Sequence, residues 1–104
     1  MFAYIRGSVI HLEESRLVIL PEGMGLGLEV LVDALTLSKA RIGESLELHL
    51  HHHITDVSEV LFGFGSIEEK LLFRKLLKVD GVGGKTALSL LNLGKSILIR
   101  AIEE

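Results

Sequence analysis

The chain has no cysteine, a single proline and a single tyrosine in 104 residues. Without cysteine, disulfides and thiolate metal centres are excluded, and a cytoplasmic address is the expectation. No apolar run approaches the length needed to cross a membrane, and the N-terminus lacks a signal-peptide layout. No internal repeat or low-complexity linker is present. Catalytic machinery is missing too: there is no nucleophile beside a base and no pair of carboxylates near a glycine-rich turn. Aromatics make up only 5% of a chain that is 48% hydrophobic, so the apolar content is mostly Leu, Ile and Val. So much aliphatic surface on a small chain implies burial against another copy.

Net charge is −3, which taken alone argues against a nucleic-acid partner. Its distribution reverses that. Residues 1–64 carry four Lys/Arg against nine Asp/Glu, whereas residues 65–104 carry seven against five. The second part is the basic one.

The first part reads as strands. Phe2 to Leu12 alternates loosely, and Gly7 at its middle suggests a bulge or bend. Arg16 to Leu20 is a second strand, and Gly25 to Val32 a third, opened by closely spaced glycines. Asp33 to Ala40 fits a short helical turn. Leu46, Leu48 and Leu50 then alternate with Glu47, His49 and His51, and the strand continues through His52, His53 and Ile54. After a turn at Thr55 to Ser58, Glu59 to Phe64 is a fifth strand. Five strands with glycine bends suit a small barrel of the OB type, giving an α+β fold with a barrel over 1–64 and a helical segment over 65–104. His49, His51 and His53 share a strand face at a spacing that could chelate a metal. No carboxylate or cysteine with ligand spacing joins them, so no metal and no cofactor is assigned, and they read as outward-facing strand residues.

In the second part, Ser66-Ile67-Glu68-Glu69 forms a capping box that opens a helix running to Lys78. A turn follows at Val79 to Gly83, in which Gly81 and Gly83 flank the apolar Val82. A second helix is expected from Lys85 to Asn92, ended by Gly94 as a C-cap, and a third from Ser96 to Ile102. Leu76, Leu77, Leu88, Leu90 and Leu91 are expected to pack between helices. The arrangement is a helix-hairpin-helix. Amides around Gly83 to Thr86 would point outward from a helix N-terminus, where the macrodipole favours an anion, with the Lys85 ammonium beside them. Gly81, Val82, Gly83, Gly84, Lys85 and Thr86 are therefore the candidate phosphate contacts, with a tight structural corner as the alternative. The stretch is not a Walker loop, because Val79 stands where that motif needs glycine, and no buried strand leads into it as a dinucleotide fingerprint requires. Lys78, Lys95 and Arg100 read as solvated surface charge.

Together Arg6-Gly7, Gly25-Leu26-Gly27, Leu61-Phe62-Gly63-Phe64, Leu72-Phe73 and Gly81-Val82-Gly83-Gly84-Lys85-Thr86-Ala87-Leu88 resemble the RuvA family of Holliday-junction-binding proteins, in order and over the whole chain. The resemblance implies a homotetramer of OB-like barrels whose hairpins hold four-way junction DNA for recombination and repair. It also implies a RuvB-type hexameric ATPase as partner, reached through a C-terminal part beyond these residues. The family's acidic pin at the junction centre maps onto Asp56, with an ordinary turn aspartate as the alternative. Val57 replaces the family's second acid, Thr55 its arginine, Gly84 the usual hairpin proline and Leu28 a common tyrosine. Three other readings stand beside this one: a hairpin-anchored glycosylase or nuclease, a generic nucleic-acid-binding module, and an assembly-only fragment.

Overall fold

The computed structural model describes the backbone of residues 1–103 and the side-chain surroundings of residues 1–94. The strands are β1 (Tyr4–Glu13), β2 (Arg16–Leu20), β3 (Leu28–Val32), β4 (Ser45–Ile54) and β5 (Glu59–Phe64), with a short helix α1 (Ala34–Lys39) between β3 and β4. They close in the order β1-β2-β3-β5-β4, antiparallel except where β3 runs parallel to β5. Two helices follow, α2 (Ile67–Leu77) and α3 (Gly84–Glu103).

Strand alternation sends two sets of side chains to two cores. Inside the barrel lie Ile5, Val9, Leu17, Ile19, Val30, Val32, Leu48, Leu50 and Leu61. The opposite faces of β3 and β5 present Leu31, Phe62 and Phe64, which the helices cover with Phe73, Ala87, Leu88 and Leu91. Phe73 is the keystone of that second core: its ring centroid lies 4.9 Å from Phe62 and 4.8 Å from Phe64. α2 starts as its sequence prescribes, the Ser66 hydroxyl accepting the Glu69 amide at 3.2 Å. This is a five-stranded OB-type barrel with a helical segment packed on one side, as the strand patterning predicts.

Several local readings need correction. Gly7 is not a bulge: it pairs regularly with Leu46, and the register shift of β1 lies between Val9 and His11. Glycine is needed there because a Cβ would fall 2.3 Å from the Leu20 carbonyl oxygen, where β1 and β2 cross closely. The third strand opens at Leu28, since Gly23 and Gly25 take left-handed backbone angles in a turn. The helix end expected at Asn92 and Gly94 is absent, and α3 runs through Gly94 without a left-handed cap. An interior glycine weakens a helix by only about 1 kcal/mol, and the buried run Ala87, Leu88 and Leu91 holds this one against the barrel. Asn92 is held as well, its side-chain oxygen accepting the Ala34 amide at 2.8 Å. Leu90 is exposed rather than packed between helices. Ile97, Leu98, Ile99 and Ile102, with Lys95 and Arg100, lie outside the residues whose side chains are described.

Candidate nucleic-acid interface

The hairpin is built by a short relay of backbone bonds. Lys78 caps α2 with its amide on the Lys75 carbonyl, and Val79 donates to Leu76 at 3.1 Å. Val82 then donates to Val79 at 3.1 Å, closing a four-residue turn. Gly81 sits at its third position with φ +82°, the angle such a turn demands there and which residues with a Cβ disfavour. Gly83 begins α3 by accepting the Ala87 amide at 2.9 Å.

That leaves the amides of Gly83, Gly84, Lys85 and Thr86 without a carbonyl acceptor among the described residues, as the first turn of a helix requires. No acidic residue stands in the first turn of α3 to answer them. Lys85 and Thr86 are exposed beside this row. The geometry provides a bare positive corner suited to an anion.

The six candidate residues divide in role. Gly81 shapes the turn. Val82 is an anchor, because its amide is already bonded and its half-buried side chain packs against the second core. Gly84 has a steric reason to be glycine: a Cβ there would lie 2.5 Å from the Phe62 ring, so the helix begins hard against the barrel. Gly83, with open space around it, and Gly84, Lys85 and Thr86 offer the amides.

Lys85 also reaches a groove of about 470 Å³ shared with the barrel, lined by Phe2, Arg16, Glu29, His52 and Glu59 among others. The groove opens where β3 and β5, paired at Leu31–Phe62 and Val32–Gly63, are no longer paired towards their N-terminal ends. Arg16 is paired with Glu29 at 3.0 Å and His52 with Glu59 at 2.5 Å, while Lys85 makes no ion pair among the described residues. Sequence reasoning missed this groove, since only the closed sheet brings Arg16, His52 and Lys85 together.

Asp56 projects from the β4–β5 hairpin tip. The turn is clasped by Thr55, whose amide donates to Ser58 O at 2.8 Å and whose hydroxyl accepts the Ser58 amide at 3.1 Å. Asp56 and its neighbour Val57 are both exposed. His49, His51 and His53 on β4 do not face open solvent: each is half-buried, and α2 packs over His51. Phe73 of α2 lies over His51, ring centroids 5.5 Å apart, and Arg74 donates to its Nδ1 at 3.3 Å. No helix of the described residues is long and apolar enough to cross a membrane.

Comparison with known proteins agrees with this architecture. Residues 1–63 match the model of the RuvA N-terminal domain. A protein of Bdellovibrio bacteriovorus named Holliday junction branch migration complex subunit RuvA is 36% identical over 104 residues, all of this chain and 53% of that protein. Proteins of the same name from Chlamydia trachomatis serovar D and Halothermothrix orenii are 34% and 36% identical, each over 46% of its own length and 89% and 88% of this chain. The chain thus spans about half the length of the curated relatives it matches. It belongs to the RuvA family.

Proposed function

We propose that this chain is the junction-gripping part of a Holliday-junction branch-migration subunit. It binds DNA arms through hairpin amides on backbone phosphates and performs no catalysis itself. The observation that carries this reading is the row of unbonded amides from Gly83 to Thr86 with Lys85 exposed beside it. A main-chain grip on phosphate reads no bases, which suits a protein that must hold a moving crossover. Assembly as a homotetramer places four such corners around one junction. It is supported by an apolar groove of about 480 Å³ on the barrel, where Phe2 and Tyr4 are each 49% exposed beside Met24 and Leu26. Asp56, at the exposed hairpin tip, repels phosphates at the junction centre. A RuvB-type hexameric ATPase supplies the motor, in the cytoplasm.

The same apolar groove favours a second reading, in which these residues assemble but do not hold DNA. Light scattering combined with a gel shift separates the two. Four-way junctions are expected to outcompete linear duplex, Lys85→Glu to weaken both, and Asp56→Asn to leave junction affinity unchanged or slightly raised. Oligomers that shift no junction would establish the assembly-only reading.

A further inference from the structure

Two features remain outside that mechanism, the histidine row of β4 and a buried lysine on α2, and they meet at one seam. Along β4, Leu48 and Leu50 enter the barrel core, so His49, His51 and His53 share the opposite face, where α2 packs over His51. His51 takes the Arg74 Nε hydrogen bond at 3.3 Å, and its ring lies 5.7 Å from that of His53. Lys70 stands one helical turn before Arg74 and is only 6% exposed. Its ammonium has no carboxylate or carbonyl partner among the described residues. No buried side-chain nitrogen is left unpartnered among the described residues, so the stem is buried and the charge emerges at the mouth of the seam.

The charges acting on His51 all have one sign: Arg74 and Lys70 from α2, His53 and His52 from β4. From β5 the seam receives the uncharged Phe62 ring, against His53. With burial as the larger cause, they hold the His51 pKa below its ordinary value. A guanidinium fork, an ammonium and two imidazoles converging from a helix above and a strand below suit an oxyanion with acceptors in several directions, as phosphate has. Lys70, Arg74 and Lys78 recur at four-residue spacing along α2, a stripe about 12 Å long that leads to the hairpin.

We propose that the seam between α2 and β4 is a second phosphate site, where Lys70 and Arg74, with His51 and His53, hold one backbone phosphate of bound DNA. This rests on the DNA-binding reading above and extends its footprint from the hairpin along α2. One contact fewer lowers the slope of log K against log salt by about 0.9, or roughly eightfold in affinity at 0.1 M salt.

The test uses the chain as it stands. Junction binding is measured across salt for the wild type, Lys70→Met and Arg74→Gln. Arg74 is exposed, so its variant should fold even if the buried lysine is needed for packing. Both variants are expected to show the reduced slope. In parallel, inorganic phosphate is titrated while the His51 and His53 ring protons are followed by NMR, and saturable shifts of both rings are expected, with the lowered His51 pKa raised by the bound anion. An unchanged slope in Arg74→Gln overturns the site for DNA, and ring shifts seen alongside that unchanged slope would mark a site for free phosphate instead. A wild-type chain that binds no junction overturns the functional reading itself, whereas junction binding with an intact slope in the variants sinks only the seam.

Discussion

The barrel and the helical segment hold themselves together differently. The barrel is aliphatic inside and closed by a continuous ladder of strand hydrogen bonds, so its parts cannot separate singly. The helices rest on it through a small second core, in which three phenylalanines and the β4 histidines supply the ring contacts. Much of their outer surface stays apolar, with Leu71, Leu72, Leu90 and Leu93 exposed. The hairpin thus rides on a module that can loosen while the barrel stays folded.

The largest expected effects test that independence. Gly7→Ala places a Cβ 2.3 Å from a backbone oxygen and 2.7 Å from Pro21 N, neither the end of a flexible side chain. The loss should reach about 3 kcal/mol or more, and since the ladder is continuous, strands and helices should lose hydrogen-exchange protection together. Phe73→Ala should cost about 3–5 kcal/mol, yet its damage should be local. Amides of α2 and α3 are expected to exchange faster while those of β1 and β2 keep their protection. Equal loss in β1 and β2 would show that the two regions are one cooperative unit.

Within the hairpin the glycines grade the comparison more finely. Gly84→Ala drives a methyl into the Phe62 ring, so it should weaken the dock of α3 on the barrel by about 1–3 kcal/mol. Gly81→Ala meets open space but must hold a left-handed angle, at about 1–2 kcal/mol. Gly83→Ala has neither obstacle and should leave stability within about 0.5 kcal/mol. Thermal melts would rank the three. If Gly83→Ala nonetheless weakens junction binding, the phosphate approaches its backbone more closely than a methyl permits.

Period-two patterning made the strands legible. Leu46, Leu48 and Leu50 announced β4, and Glu59 to Phe64 was bounded by polar turns on one side and by glycine on the other. The hairpin was legible because glycines spaced by one residue between two helical runs have few other uses. What the sequence hid were consequences of closure. The reason for Gly7 lies in Leu20, that for Gly84 in Phe62, and the Lys85 groove exists only once β3 and β5 meet. Gly94 misled because a helix tolerates an interior glycine at a cost of only about 1 kcal/mol, so the residue alone does not end one. The histidines misled because alternation says which residues share a face, but not whether a helix will cover it.

The smallest expected effect is a pH dependence confined to the seam. Burial, then Arg74, His53, Lys70 and His52, lower the His51 pKa from its ordinary 6.5 in the folded chain. Between that lowered value and 6.5 the unfolded chain binds more protons than the folded one, so stability rises with pH through this window. The contribution is therefore complete above about 6.5 and is lost as pH falls below it, levelling off once folded His51 is also protonated. Other groups titrate nearby, so the informative quantity is a difference. The wild type should lose more stability between pH 7.5 and 5.5 than His51→Gln does, with the excess appearing as faster exchange in α2 rather than in β1 or β2. Identical pH profiles would mean that protonated His51 is accommodated without moving the helix, and that the seam is as firmly closed as the barrel beneath it.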